Sequence, residues 1–158
     1  VLYSCGLRVS ELIDLKISDL FLNENLIKVL GKGNKERFVP VSNTAKKLIV
    51  EYIESIRNFK KIKKGHEDTL FINNRGQKLT RVMIYTILNN LANHIGLKKK
   101  ISPHVLRHSF ATHLIENGAD IISIQKMMGH ENIVTTEKYL HVKSKHLIDS
   151  VLKYHPRS

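Results

Sequence analysis

The chain has 158 residues, with 26 Lys and Arg against 14 Asp and Glu, and a formal net charge of +12. An apolar fraction of 42% argues against a wholly disordered chain, and no apolar run reaches the ~20 residues that a membrane-spanning helix needs. The positive charge favours a polyanionic partner, with nucleic acid first and an anionic membrane surface second.

Two helices and a β-hairpin are predicted in the first half of the chain. Residues 1–15 have apolar side chains at helical spacing, and a second helix is capped by Ser42 or Asn43 and runs to about Phe59. Between them, Asn25–Leu30 and Arg37–Val41 have strand character and flank a glycine-containing turn. We expect the second helix to bury a stripe of five side chains: Leu48, Ile49, Tyr52, Ile53 and Ile56.

The second half of the chain predicts one short strand and mostly helix. The clearest start is Ser102-Pro103, because serine is a preferred cap and proline suits the first helical position. The predicted segments are a strand at Thr69–Ile72, a helix from Thr80 to about Ile95, helices from Ser102 to Asn117 and from Asp120 to near Gly129, a short helix from Thr135 or Thr136 that contains Tyr139, and a helix at Leu147–Leu152. The fold class is therefore mainly α with a small antiparallel β-sheet (α+β), in one domain.

The helix start at Ser102-Pro103 is also a candidate anion site. Its free N–H groups attract negative charge, and His104 and Arg107 lie one turn apart on the helix, where they can hold a phosphate and move a proton. A metal site at His104 and His108 is disfavoured, since Arg107 adds a repelling charge and no carboxylate lies between the histidines. A simpler interpretation, in which His104 only caps or packs the helix, stays open on this motif alone.

Three other motifs carry chemistry. Arg8 is followed three residues later by Glu11, which can orient its guanidinium. The hairpin tip Gly31–Arg37 lacks the spacing of a nucleotide-binding P-loop, but a lysine there can reach a phosphate or donate a proton. The run at residues 98–100 precedes the strong helix start and is placed to meet a phosphate backbone, whereas the run at residues 60–64 has the pattern of a solvated loop.

Five motifs together resemble one family. GLRVSEL, GKGNKER, HVLRH, MMGH and TTEKYLH, in this order and spacing, resemble the tyrosine recombinase (phage integrase) family, and within it the Xer site-specific recombinases of the XerD type. The resemblance implies the tyrosine recombinase catalytic-domain fold and a catalytic set without cofactor, metal or ATP. The implied catalytic residues are Arg8, Lys32, His104, Arg107, His130 and the nucleophile Tyr139. Glu11 would support them, and the candidate DNA-binding residues are Lys35, Arg37, Lys98, Lys99 and Lys100.

The resemblance also implies a mechanism. Tyr139 would attack the scissile phosphorus, form a 3′-phosphotyrosyl bond and release a 5′-hydroxyl, so that a second strand can reverse the step. The two arginines would hold the nonbridging oxygens, and Lys32 would be the general acid for the leaving oxygen. His104 would act as base toward the tyrosine, and His130 would donate a hydrogen bond to the phosphate.

Further expectations concern the whole protein. The chain begins inside a helical phrase without Met, so residues 1–158 are expected to be a C-terminal catalytic domain that lacks its core-binding, DNA-clamping domain. The implied partners are double-stranded DNA, a homo- or hetero-tetramer with a sister recombinase, and a septal DNA translocase, without membrane insertion. A single cysteine and the resemblance favour the bacterial cytoplasm, in association with the nucleoid. The C-terminal helix, at about residues 144–153, can pack into a neighbour or onto its own core.

Four functions fit these motifs to different degrees. The resemblance favours site-specific recombination in chromosome dimer resolution and segregation. An integrase of a mobile element or phage would use the same active site and differ in its target DNA. A type IB topoisomerase is disfavoured by the short chain, and a catalytically silent DNA-binding module is disfavoured because binding alone requires neither His104 nor Tyr139.

Overall fold

The structure, a computed structural model, describes residues 1–129 and 140–157, and side chains for all of these except Lys32 and residues 140–146. The described α-helices are Val9–Asp14 (α1), Asn43–Ser55 (α2), Arg81–His94 (α3), Pro103–Glu116 (α4), Ile121–Met128 (α5) and Leu140–Tyr154 (α6). The described strands are Leu20–Phe21 (β1), Leu26–Leu30 (β2) and Glu36–Pro40 (β3). None of the helices in this part of the chain is both long and apolar enough to cross a lipid bilayer.

The predicted hairpin is confirmed and is part of a three-stranded antiparallel sheet in the order β1-β2-β3. In the β2–β3 ladder, Val29 is opposite Arg37. The connecting turn is closed by a hydrogen bond of 2.8 Å from the Gly31 N–H to the Lys35 carbonyl. A positive φ of 75° at Gly33 allows the tight turn. The two-residue strand β1 was not predicted, because it is too short to have a periodic pattern.

The prediction of one helix over residues 1–15 is wrong, since α1 begins at Val9. Gly6 has a φ of +57°, and a Cβ there would lie 2.4 Å from a ring carbon of Phe110. The chain therefore passes Phe110 without a side chain and continues in an extended conformation at Arg8, with φ −70° and ψ 152°. This break makes Arg8 the N-cap residue of α1.

The buried stripe predicted for α2 is only partly correct. Ile49 is fully buried, but Leu48 and Ile56 are 58% and 48% exposed. The predicted stripe was wider than the face that α2 turns toward the core, and α2 ends at Ser55. Ile56 is thus exposed, whereas the next residue, Arg57, is buried. The Arg57 guanidinium donates to the carbonyls of residues 67 and 69.

The predicted strand at Thr69–Ile72 does not form. Thr69 and Ile72 each make one isolated bridge, to Lys16 and Lys78 respectively. An antiparallel ladder beside Lys16 would pair residues 71 and 72 with residues 14 and 13, and it cannot form because those two residues belong to α1.

The helix starts of the second half are confirmed. The side chains of Thr80, Ser102 and Asp120 each accept a backbone N–H in the first turn of α3, α4 and α5. The helix predicted at Leu147–Leu152 is the C-terminal part of α6. The helix predicted from Thr135 or Thr136 lies outside the described residues.

The core has two parts. One lies between the sheet, α1 and α2, and extends to Ile84 of α3. The other lies between α4, α5 and α6, and its buried members are Phe110, Leu114, Ala119, Ile124, Met127 and Val151. Val151 has no exposed surface, so the C-terminal helix packs on the core of its own chain.

Candidate active site

Three arginines from distant parts of the sequence converge on the buried carboxylate of Glu11. Arg37 of β3 donates to both carboxylate oxygens, at 2.7 and 2.9 Å. Arg8 contacts the same carboxylate twice, through its side chain at 2.9 Å and its backbone N–H at 2.8 Å. Arg107 of α4 lies 3.8 Å from the second oxygen. We call these four residues the arginine cluster.

Glu11 is held in its charged form. Burial by itself would raise the pKa of this carboxyl, because a buried charge loses its hydration. The hydrogen bonds and charge of Arg37 and the two hydrogen bonds from Arg8 outweigh burial, and the pKa of Glu11 lies below its ordinary value. One carboxylate thus offsets part of the charge of three guanidinium groups.

Arg107 is the most deeply buried arginine of the cluster, with a side chain 8% exposed. Burial lowers its pKa to about 10, the positive charges of Arg8 and Arg37 add to this effect, and Glu11 opposes it. Arg107 therefore stays charged at neutral pH. Its Nη1 donates to the carbonyl of Gly6 at 2.5 Å, so the glycine break before α1 also supplies an acceptor for this arginine.

The C-terminal end of α5 binds all three arginines through consecutive carbonyls. Met127 accepts from Arg37 at 3.0 Å, Met128 accepts from Arg107, and Gly129 accepts from Arg8 at 3.4 Å. The last carbonyls of a helix have no partners within the helix and form the negative end of its dipole, so they are suited to bind cations. The arginine cluster is consequently bound to the backbone at the end of α5.

The other predicted catalytic residues either lie close in the chain to residues at the cluster or fall outside the described residues. His104 is in the first turn of α4, one turn before Arg107, and is exposed while Arg107 is buried. Lys32 begins the 3-10 turn between β2 and β3, and its side chain is outside the description. His130 and Tyr139 both lie outside the described residues.

The candidate DNA-binding residues are placed in two different ways. Lys35 is exposed at the hairpin tip, and residues 98–100 are exposed between α3 and α4. Arg37 points into the cluster instead, and its side chain is only 12% exposed. Among the described residues, no group of three or more His, Cys, Asp or Glu side chains has the arrangement of a metal site.

The sequence profile of the phage integrase family matches residues 1–146. The chain belongs to the phage integrase family. This confirms the family predicted from the five motifs, and the mainly α fold with a small antiparallel sheet is the predicted fold class. The phage integrase match extends over the first part of the core, over the arginine cluster and over the buried members of the second part except Val151.

Within this family, the chain is similar to several Xer recombinases. Over its full length the chain is 49% identical to a tyrosine recombinase XerD from Oceanobacillus iheyensis, of which the match covers 53%. The crystal structure of XerA recombinase superposes with a TM-score of 0.76 at 37% identity, over 100% of this chain and 57% of that one. XerH recombinase bound to its difH substrate superposes with a TM-score of 0.68 at 31% identity, over 91% of this chain and 41% of that one. The chain spans about half the length of the relatives it matches.

Sequence reasoning predicted the Arg8–Glu11 contact but missed the second partner of Glu11. The signal was present in β3, where side chains alternate between faces and Arg37 therefore shares a face with Val39. Val39 has no exposed surface. An arginine on a buried face needs a buried acceptor, and Glu11 is the acidic side chain that meets it. The carbonyls of α5 could not be foreseen, because backbone acceptors have no signature in the sequence.

The arrangement is suited to binding a tetrahedral anion. Arg8 is the most open arginine of the cluster, with a side chain 35% exposed, and it lies beside the buried Arg107. Guanidinium groups fit the oxygens of a phosphate in a bidentate way, and in a partly buried site their charge is less screened than in water. His104, one turn before Arg107 on α4, is exposed and adds an imidazole on the same helix.

Proposed function

We propose that the chain is the catalytic domain of a site-specific DNA recombinase that cuts and rejoins strands through a 3′-phosphotyrosyl intermediate. The observation that carries the proposal is the convergence of Arg8 and Arg107, from distant motifs, on one buried carboxylate. The membership in the phage integrase family and the 49% identity to a XerD recombinase support it. Pairs of arginines occur at other sites in proteins, but here the sequence motifs that contain Arg8 and Arg107 are accompanied by those of Lys32, His104, His130 and Tyr139, in the order and spacing of the family.

In the proposed mechanism the arginines stabilise the charge that gathers on the nonbridging oxygens in the transition state. Tyr139 is the nucleophile, and its phenolic proton passes to His104. Lys32 protonates the departing 5′-oxygen, and His130 donates a hydrogen bond to the phosphate. The phosphotyrosyl bond conserves the free energy of the broken phosphodiester, so a 5′-hydroxyl can attack it without ATP.

The proposed cellular role is chromosome dimer resolution and segregation, which the XerD relatives favour. The substrate is double-stranded DNA, in line with the DNA-bound XerH relative. The protein acts in the bacterial cytoplasm at the nucleoid, in a tetramer with itself or a sister recombinase and under a septal DNA translocase. Residues 1–158 act as the C-terminal catalytic domain beside a separate DNA-clamping domain.

The test is the recovery of covalent DNA adducts. The full-length protein is incubated with sheared genomic DNA, adducts are trapped under denaturing conditions, and the attached DNA is sequenced. We expect adducts from the wild type and none from Tyr139→Phe, because phenylalanine lacks the attacking oxygen. Adducts from Tyr139→Phe would contradict the assignment of the nucleophile.

Two comparisons complete this test. Tyr85→Phe removes an equivalent hydroxyl from a half-exposed tyrosine of α3 and should leave the adducts unchanged. The recovered sequence separates the two recombinase roles, since one chromosomal site supports dimer resolution and the ends of a mobile element support integration. EDTA should leave cleavage unchanged, and a loss that a divalent ion restores would contradict the proposed chemistry.

A further inference from the structure

The guanidinium of Arg37 has an acceptor for each of its nitrogens within the protein. Nη1 and Nη2 donate to the two oxygens of Glu11, at 2.7 and 2.9 Å, and Nε donates to the Met127 carbonyl at 3.0 Å. With 12% of its side chain exposed, Arg37 has little surface left for a ligand. A bidentate pair of this kind constrains the orientation of both partners.

Two glycines enclose this guanidinium. A Cβ at Gly31 would lie 3.2 Å from Nη1 of Arg37, and a Cβ at Gly129 would lie 3.1 Å from its Cζ. Gly31 directly precedes Lys32 in the chain, and Gly129 directly precedes His130. Arg37 therefore lies against the two backbone segments that lead into two of the proposed catalytic residues.

We propose that Arg37 is a positioning residue for DNA cleavage, which holds Glu11 and the end of α5 so that Arg8 and Arg107 face the scissile phosphate together. The inference rests on the proposed function. Arg37 acts through Glu11, whose other partners are these two arginines. It makes no contact with DNA, in contrast to the role that the sequence pattern predicts for it.

Arg57 provides a matched comparison. It is also a buried arginine, 4% exposed, and its guanidinium donates to the backbone carbonyls of Thr69 and Glu67. Its described hydrogen bonds include no carboxylate, and it lies outside the arginine cluster. Arg57→Lys should therefore lower stability without affecting cleavage by the folded protein, whereas Arg37 variants should affect both.

The distinguishing readout is the pH dependence of cleavage. Among the side chains that the structure describes, the charged groups that face Glu11 are Arg8, Arg37 and Arg107, and the described part of α5 contributes carbonyls beside them. Without Arg37, burial raises the pKa of Glu11 and the carboxyl becomes neutral at a higher pH. The acid limb of the pH–rate profile should then move to higher pH by about one unit or more. At a fixed pH on that limb, a shift of one unit lowers the cleavage rate about tenfold.

The experiment uses the full-length protein and a nicked duplex that carries the site recovered from the covalent adducts. Single-turnover cleavage is measured against pH for the wild type, Arg37→Gln, Arg37→Lys, Glu11→Gln, Arg57→Lys and the double variant of residues 11 and 37. We expect the upward shift in Arg37→Gln and a smaller one in Arg37→Lys, and no shift in Arg57→Lys. Relative to Glu11→Gln, the double variant should show no further shift, because the carboxyl on which Arg37 acts is already absent.

Duplex binding against salt gives a second readout that does not depend on cleavage. Arg37→Gln should keep the wild-type slope, whereas loss of a phosphate contact would lower it by about 0.9. If Arg37→Gln does not fold, the profile of Arg37→Lys decides. A lowered salt slope, or a wild-type pH profile in a folded Arg37 variant, would overturn the positioning role of Arg37 and leave the proposed recombinase function intact. A wild type without adducts would overturn the proposed function and this inference with it.

Discussion

Positive charge is used in two ways in this molecule. In the arginine cluster three guanidinium groups share one buried carboxylate and three helix carbonyls. In the segment at residues 98–100 three lysines follow one another and are all exposed. The first region has fixed partners within the protein, and the second has its charge free for partners outside it.

The difference determines what each region can do. Exposed charges interact through water and are screened by salt within about 8–10 Å, so they favour general attraction to a polyanion. Charges inside the cluster are screened less and are held in one geometry, which suits the stabilisation of a single phosphate. Under the proposed function, attraction to DNA and the chemistry on it belong to separate regions, and each region can be changed without the other.

The largest expected effect is the loss of the carboxylate of Glu11. Glu11→Gln leaves buried guanidinium groups without their counter-ion, and breaking a buried pair in this way costs about 3–5 kcal/mol of the free energy of unfolding. The control lies on the same helix, where Asp14 pairs with Lys78 at 2.9 Å but both side chains are about half exposed. Asp14→Asn should cost about 0–1 kcal/mol. Urea unfolding at neutral pH measures both.

The pH dependence of this effect has a defined sign. Because the pKa of Glu11 in the folded protein lies below its ordinary value of 4.5, its contribution to stability is present above that value and is lost as the pH falls through the folded pKa. The difference between the wild type and Glu11→Gln should therefore shrink in acid. A difference that stays constant down to acid pH would contradict an ionised Glu11 as the centre of the cluster.

A structural feature could be predicted from the sequence when the residues that cause it are close together in the chain. The caps at Thr80, Ser102 and Asp120 were predictable, because a cap and its acceptor N–H lie within one turn. The break at Gly6 was not, because its cause is a ring more than a hundred residues away. The Arg8–Glu11 contact was also predictable, because its two residues are three positions apart in the chain.

The rest of the candidate site depended on long-range packing. The motifs identified Arg107 and Arg37 as residues of interest, but only the fold brings β3, α4 and the end of α5 around Glu11. Arg37 was interpreted as a DNA-binding candidate because basic residues surround it in the hairpin. Arg37 alternates with Val39 and Val41, and both valines are buried. This spacing carried the better signal, but the interpretation followed the local charge instead.

A smaller effect is expected from the exposed lysines. Replacing Lys98, Lys99 and Lys100 by Gln should lower the slope of log affinity against log salt by up to about 2.7, since each neutralised phosphate contributes about 0.9. The affinity for a random duplex should fall accordingly, with stability unchanged. The control replaces Lys60, Lys61 and Lys63 by Gln, where the run has the pattern of a solvated loop. Equal slopes for the two triple variants would contradict a specific role for residues 98–100.

The smallest expected effect compares two glycines with nearly the same backbone conformation. Gly129 has a φ of +65° and is the C-cap of α5, and Gly96 has a φ of +69° and directly follows the C-cap of α3. A Cβ at Gly96 meets no atom within 4 Å, whereas a Cβ at Gly129 would lie 3.1 Å from Arg37. Both alanine variants have the backbone strain of about 1–2 kcal/mol, and only Gly129→Ala must also displace the guanidinium.

The difference in the free energy of unfolding between these variants isolates the contact with Arg37. We expect Gly129→Ala to be less stable than Gly96→Ala by about 1 kcal/mol, at the low end for overpacking because the displaced group is the end of a long side chain. Thermal or urea unfolding measures it. Equal stabilities would mean that Arg37 can leave the end of α5 without cost, and the two regions would then differ in exposure but not in how firmly their charges are held.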